Sequence, residues 1–373
     1  MTAAAPINLF GLDRDALRAR FAEMGEKPYR ADQVMPWIYR RGRDSFDEMS
    51  NISKELRVRL KEHFVIRHPE LVTEQTSQDG TRKWVLRLDG GPSTGSGQAI
   101  ETVFIPETDR GTLCISSQVG CAMDCSFCST GKQGLNRNMT TAEIIAQVWF
   151  AARALGGDFQ NERVISNVFF MGMGEPLANY HALLPAIRIL LDDFGFGLSK
   201  RRVTVSTSGL VPFIDRLRED CDTALAVSLH APNDELRDEL VPVNRKYPLA
   251  DLMDACRRYT AGKDRKMHIV YEYVMLDGVN DSPVLARELA RLLADLPAKV
   301  NLIPFNPFPK TEYKRSRPER IKAFSDILRA KGVLTTVRKT RGDDIDAACG
   351  QLVGEVTSRQ KNRLSEIAVK VAT

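Results

Sequence analysis

Apolar positions change their spacing twice along the chain. Up to about residue 72 they recur at three-to-four spacing in "DRDALRARFAEMG", "RADQVMPWIYRRG" and "SKELRVRLKEHF". Each stretch stops near glycine or a polar turn, which predicts a small helical domain. Alternation follows in "TRKWVLRLDG" and "AIETVFIPE", joined by "GGPSTGSGQ", a linker rich in glycine and serine. This predicts a β-hairpin around a flexible surface loop. From residue 113 an apolar run and an amphipathic stretch repeat six times, from "LCISSQ" with "TTAEIIAQVWFAARAL" to "VNLIPFNP" with "PERIKAFSDILRAKG", before a last short strand "LTTVRKT".

Six βα units with strands apolar on both faces predict a parallel α/β sheet curled into a partial (β/α)6 barrel. The organisation expected is a helical accessory domain at 1–75, a β-hairpin extension at 76–110, the partial barrel at 111–342 and a C-terminal segment at 343–373. Parallel barrels gather their reactive groups at the C-terminal ends of the strands. There the chain places "QVGCAMDCSFCSTG", "MGMGEPL", "STSG", "SLHA", "MLDGVND" and "PFNPFP". Glycines, hydroxyls, amides, an acid and three thiols stand where a purely structural barrel needs only turns.

Length and composition narrow the setting. A chain of 373 residues, 43% hydrophobic, can bury a full core, and no apolar run reaches the roughly 18 residues of a membrane span. The start, "MTAAAPINLFGLDRDALRARF", has no secretory pattern, so a cytoplasmic location is expected. In that reducing compartment seven cysteines point to metal or redox chemistry rather than a disulfide framework. The net charge of +5 says little, but the span 310–331 holds eight Lys or Arg against three acids, and smaller basic groups stand at 199–205, 336–342 and 358–363. Such clusters fit either solvated helix faces or a polyanion such as RNA.

Three cysteines, Cys121, Cys125 and Cys128, stand in C-x3-C-x2-C spacing in "CAMDCSFC". Structural zinc takes four protein ligands, commonly as two C-x2-C knuckles, and the second pair is missing here. A zinc site would have to recruit Cys114, Cys221, Cys256 or Cys349 from elsewhere. Iron–sulfur clusters also favour thiolates, and three ligands on a [4Fe–4S] cube leave one iron open for a substrate or cofactor.

C-x3-C-x2-C with an aromatic, Phe127, before the last cysteine resembles the signature of the radical S-adenosylmethionine superfamily. "GMGEP" at 172–176 is similar to its glycine-rich methionine-binding loop. The order of "ETVFIP", "CISSQVGCAMDCSFCSTGKQGLNRNMT", "FMGMGEPL", "RRVTVSTSG", "VSLHAP", "PFNPFP" and "AACGQL", with "KPYRADQVMPWIY" upstream, resembles the RlmN/Cfr family over nearly the whole chain. The resemblance implies that Cys121, Cys125 and Cys128 hold a [4Fe–4S] cluster. Gly174, Glu175, Ser206, Ser228, Leu229, His230 and Asn306 would bind S-adenosylmethionine, two molecules of which are used per turnover.

By the same resemblance the chain methylates C2 of adenosine 2503 in 23S rRNA and of adenosine 37 in tRNA. C2 is electron-poor and no ordinary nucleophile, so a radical route is needed. One S-adenosylmethionine methylates Cys349; a second yields the radical that takes a hydrogen atom from that methyl group, and the resulting carbon radical adds to C2. Glu101 is then the expected base for the C2 proton. Cys114 is the expected thiol that resolves the protein–RNA crosslink, through a transient Cys114–Cys349 disulfide reduced afterwards. Implied partners are 23S rRNA, tRNA and an external reductant such as a flavodoxin-type donor; no membrane is involved and a monomer is expected. Without the family context a lone cysteine is usually a small buried hydrophobe, and Cys221 and Cys256 keep that reading. Two rivals are a Cfr-like C8 methyltransferase and a non-catalytic metal-cluster module that binds RNA.

Overall fold

The computed structural model describes residues 5–88, 98–108, 110–156, 164–262, 268–309 and 311–352. All but the last residue of the loop at 90–98, and the basic group at 358–363, lie outside the described residues. The N-terminal helices α1 (Arg14–Glu23), α2 (Tyr29–Tyr39) and α3 (Lys54–His63) are bracketed by a parallel pair of two-residue strands, β1 (Ile7–Asn8) and β2 (Phe64–Val65). Polar side chains start α1 and α3: Asp13 accepts from the Ala16 amide and Ser53 from the Leu56 amide. The helical stripe read from the sequence, including Leu17, Phe21, Val34, Met35 and Ile38, is buried. This region is tied to the main body where Trp149 donates its indole N–H to the Ile38 carbonyl at 3.0 Å.

Strands β3 (Glu70–Thr76), β4 (Arg82–Leu88), β5 (Gln98–Glu107) and β6 (Arg110–Cys114) run antiparallel to one another. The expected hairpin is the β4–β5 pair, with Val85 opposite Glu101. After β6 come the small strands β7 (Gln118–Gly120) and β8 (Leu135–Asn138), which pair apart from the main sheet and flank α4 (Ser129–Gln133). Alternation then sets in: α5 (Thr141–Ala154), β9 (Asn167–Phe170), α6 (Tyr180–Leu191), β10 (Val203–Thr207), α7 (Val211–Asp220) and β11 (Ala224–Ser228). It continues with α8 (Asp234–Leu240), α9 (Leu249–Thr260), β12 (Ile269–Met275), α10 (Pro283–Leu292), β13 (Ala298–Pro304), α11 (Pro318–Ala330) and β14 (Leu334–Val337).

One ten-stranded sheet results, in the order β3-β4-β5-β6-β9-β10-β11-β12-β13-β14, with every pairing from β6 onward parallel. The sheet is open at β3 and β14, so the barrel is partial. Its strands are apolar on both faces for the usual reason, helices outside and packed side chains within; Val168, Val205, Val227, Tyr271 and Val300 are all inaccessible. Among the described residues no helix is long and apolar enough to cross a membrane.

Candidate functional site

The three clustered cysteines follow β7 in a loop that folds back on itself. Asp124 takes a left-handed φ of 52°, and the Cys128 amide donates to the Cys125 carbonyl at 3.1 Å. Gly131 packs tightly beneath this turn, where a Cβ would lie 3.2 Å from backbone atoms of Cys125. All three side chains line one cavity of about 170 Å³ at the C-terminal ends of the strands. Burial pushes each thiol up, against which the Gly131 and Thr130 amides act on Cys128. Apo, the loop holds neutral thiols, so loading a metal releases protons.

The donor set fits an iron–sulfur cluster. The Cys121, Cys125 and Cys128 thiols share one loop and face one cavity, which Cys349 lines from the other side, and among the described residues no three His, Cys, Asp or Glu side chains converge as on a single metal ion. Thiolates are the ligands that such a cluster takes.

The glycine-rich loop after β9 closes another side of the cavity. Gly172 packs on β6's continuation, where a Cβ would meet the Ile115 carbonyl at 2.7 Å; Gly174, at φ +94°, would meet Gln118 Cβ at 2.5 Å. No larger residue fits either place. Glu175 is 4% exposed and its carboxylate accepts from the Ser208 amide at 2.7 Å, the Ser208 hydroxyl at 2.8 Å and the Leu177 amide at 3.1 Å. Burial raises this carboxyl against those bonds. Ser206, next to the last residue of β10, and Ser228, the last of β11, line the same cavity, as does His230.

His230 has a left-handed φ of 60°, uncommon for a non-glycine residue. Its Nδ1 accepts from the Val274 amide at 3.0 Å, its ring meets Phe127 edge-on at 4.5 Å, and burial and then Arg237 pull its pKa down to about 3. It is therefore a neutral ring wedged against the cysteine loop. Leu229 is buried beside it but does not line the cavity.

A second, smaller cavity adjoins the first and shares Met171, Ile303, Arg338, Cys349 and Leu352 with it. Cys114, Asn306 and Cys349 line this one. Two distant cysteines are thus brought to one wall. Cys349 is fixed by its backbone: Asn306 donates to its carbonyl at 3.3 Å, while the next residues bond to the cysteine loop through Ser129 N–H to Gly350 O and Thr130 Oγ1 to Leu352 O. Burial, then the neighbouring Cys349, drives the Cys114 thiol up, and the Arg338 guanidinium opposes this.

Glu101 lines neither cavity. It lies on β5 two residues before Val103, which pairs with Cys114 and lines the smaller cavity, so alternation puts Glu101 on the same face of the strand. Lys83, opposite Val103, reaches Glu101 at 3.4 Å and donates to the Asp346 carbonyl at 3.3 Å. Both side chains are almost fully buried.

Three residues of this architecture escape sequence reasoning: Lys83, Arg338 and Arg237. Arg237 on α8 is inaccessible to solvent and donates to four acceptors: Leu229 O at 3.1 Å, Asn244 Oδ1 at 2.8 Å, Ser208 O at 2.6 Å and Ser228 O at 3.2 Å. It locks the ends of β10 and β11 together and, through Ser208, steadies Glu175. "DELRDEL" gives no sign of this, since alternating charge reads as a solvated helix.

Residues 7–66 match the family model of the ribosomal RNA large subunit methyltransferase N-terminal domain, and residues 115–290 match that of the radical SAM superfamily. Among solved structures, a radical SAM methyltransferase from Sphaerobacter thermophilus is 48% identical, with a TM-score of 0.84 over 93% of this chain and 99% of that one. A domain of pyruvate-formate lyase-activating enzyme from Bacteroides vulgatus is 19% identical, with a TM-score of 0.36 over 47% of this chain and 99% of its own. SuiB of Streptococcus suis, solved with S-adenosylmethionine, is 12% identical, with a TM-score of 0.44 over 61% of this chain and 50% of that one.

Proposed function

The chain belongs to the RlmN-type radical SAM methyltransferases, and on that premise we propose that it methylates C2 of adenosine 2503 in 23S rRNA and of adenosine 37 in tRNA. The observation that carries the reading is the meeting of Cys114 and Cys349 in a cavity that shares a wall with the three-cysteine cavity. A methyl transfer straight from cofactor to base needs no thiol, let alone two.

Cys121, Cys125 and Cys128 hold the [4Fe–4S] cluster, while Gly174, Glu175, Ser206, Ser228, Leu229, His230 and Asn306 seat S-adenosylmethionine. When bound, these groups supply a methyl group from one S-adenosylmethionine and hydrogen-atom abstraction from a second. Cys349 receives the methyl on Sγ and, after losing one hydrogen atom, joins its carbon to C2. Glu101 takes the C2 proton. Lys83, bound to both Glu101 and the Asp346 carbonyl, orients that base toward the segment that carries Cys349. Cys114 then attacks Cys349 Sγ; the S–S bond forms, the C–S bond breaks, and the carbon leaves with a proton as the methyl of the product. As it loses the C2 proton the adduct also gives up one electron, which would go back to the cluster that supplies one at the start, and two more from an external, flavodoxin-type donor reduce the disulfide. Arg338, beside both thiols, favours the thiolate of Cys114 that this attack requires.

The same reading assigns 1–75 to RNA recognition, 76–110 to the extension that carries Glu101, 111–342 to the radical chemistry and 343–373 to the methyl acceptor, in a cytoplasmic monomer. RNA incubated with the reconstituted enzyme is digested to nucleosides and analysed by mass spectrometry. The expected product is 2-methyladenosine at both positions; 8-methyladenosine, or no methylated adenosine, overturns the proposal.

A further inference from the structure

The most basic stretch of the sequence, 310–331, has no part in the chemistry above. The fold lays its described part along the open edge of the sheet, beside β13 and β14. There α11, Pro304 and the strand end at 337–340 enclose a groove of about 490 Å³, and Arg315, Lys322, Arg329 and Arg338 stand on its walls. The groove abuts the site. Pro304, Arg338 and Thr340 are shared with the small cavity that holds Cys114 and Cys349.

Two side chains in it lack what buried polar groups require. Ser316 and Ser325 both line the groove, each is 2% exposed, and neither hydroxyl oxygen has a hydrogen-bond partner among the described residues. Such orphans are rare in native structures and call for a missing partner. The N-terminus of α11, thirteen residues long, opens at the same place: Pro318 at its start lines the groove, and the Arg317 side chain makes no capping bond. The Arg320 and Ile321 amides are taken by the Arg317 carbonyl, so it is the helix dipole that favours an anion there. Asp326 also lies on the wall, but Lys322 pairs with it at 2.6 Å. Arg315 donates to Asn306 Oδ1 at 3.0 Å and lies 3.7 Å from an Asp343 carboxylate oxygen, while Arg329 donates to the Thr335 carbonyl at 3.1 Å, a neutral acceptor that holds it without cancelling its charge.

We propose that this groove seats the backbone of the substrate RNA beside the target adenosine, with successive phosphodiesters running along α11 from Arg315 and Ser316 past Lys322 and Ser325 to Arg329. The proposal rests on the RNA-methyltransferase reading. A base unstacked into the thiol cavity must leave its flanking phosphates at the rim, and this groove adjoins that cavity across Pro304, Arg338 and Thr340. A polymer suits a long basic groove beside the thiol cavity better than a free anion does.

The test uses the full-length chain and a fluorescent RNA hairpin with an unpaired adenosine, followed by anisotropy over a sodium chloride series. The double variant Lys322→Gln, Arg329→Gln is expected to lower the slope of log K against log salt by about 1–2, as loss of one or two phosphate contacts does. Ser316→Ala is expected to weaken binding about fivefold or more with no fall in melting temperature, which separates a ligand contact from a structural one. A single methylphosphonate linkage next to the adenosine should weaken wild-type binding and add nothing to the loss in the double variant. An unchanged slope, with every methylphosphonate position equally tolerated by wild type, overturns the groove. Product analysis on the same RNA keeps the two readings apart. Methylation by wild type with an unchanged salt slope rejects the groove alone, and a lowered slope without methylation rejects the activity alone.

Discussion

Replacing Arg237 by methionine removes a buried cation while keeping most of its volume. Three backbone carbonyls and one side-chain amide lose charge-assisted donors at 2.6–3.2 Å. Bonds of this kind are worth roughly 1.5–3 kcal/mol each when an acceptor is left buried and unpaired. Against this stands the relief of desolvating a guanidinium, whose pKa burial has already lowered to about 10. One-sided removals from buried networks cost about 3–5 kcal/mol net. For a chain of 373 residues, with unfolding entropy near 2.1 cal/mol/K per residue, that is a fall of about 4–6 °C in melting temperature. The ends of β10 and β11 and the Ser208–Glu175 contact loosen together, so S-adenosylmethionine affinity of the reconstituted enzyme should fall by about tenfold or more. Differential scanning fluorimetry and equilibrium dialysis measure the two. Arg237→Lys restores charge without the planar fork and should recover less than half of either loss. A melting temperature within about 1 °C of wild type would refute the argument, because it would mean the four acceptors find other partners.

Gly174→Ala forces a Cβ to within 2.5 Å of Gln118 at a φ of +94°, and should abolish detectable S-adenosylmethionine binding while the N-terminal domain keeps its helical circular dichroism. His230 is buried neutral with its pKa drawn from 6.5 to about 3, so its contribution is fully present above pH 6.5 and is lost progressively as pH falls toward 3. At pH 5 the loss is about 2 kcal/mol, to be read as a stability difference between pH 7 and pH 5 that His230→Gln diminishes in the apo protein. Cys114→Ala should stop the reaction at the crosslink and give a band of protein plus RNA on a denaturing gel; free methylated RNA at the wild-type rate would exclude a resolving role.

The barrel was legible because its strands are apolar runs and its helices carry stripes; both patterns survive any detail of packing. β3 was not, since "ELVTEQT" is almost wholly exposed and gains strand structure only by pairing with β4. The β7–β8 pair and α8 were too short to register as periodicity. In the site, cysteine spacing and the glycine loop announce themselves, because the chemistry constrains them locally. Cys114 and Cys349 stand 235 positions apart, and without the family resemblance only the fold brings them to one cavity. Arg237, Arg338 and Lys83 are ordinary surface residues by pattern; burial among backbone carbonyls and thiols makes them part of the site, and burial of a charge is not written in local sequence.

The central claim is that the methyl group reaches RNA by way of Cys349 and loses a hydrogen on the way. Wild-type enzyme supplied with S-adenosylmethionine bearing a trideuterated methyl group, with the product nucleoside weighed by mass spectrometry, tests it most directly. The account predicts 2-methyladenosine carrying two deuterium atoms, because one is abstracted on Cys349 and replaced from solvent. A product that keeps all three would mean direct transfer of an intact methyl group and would contradict it.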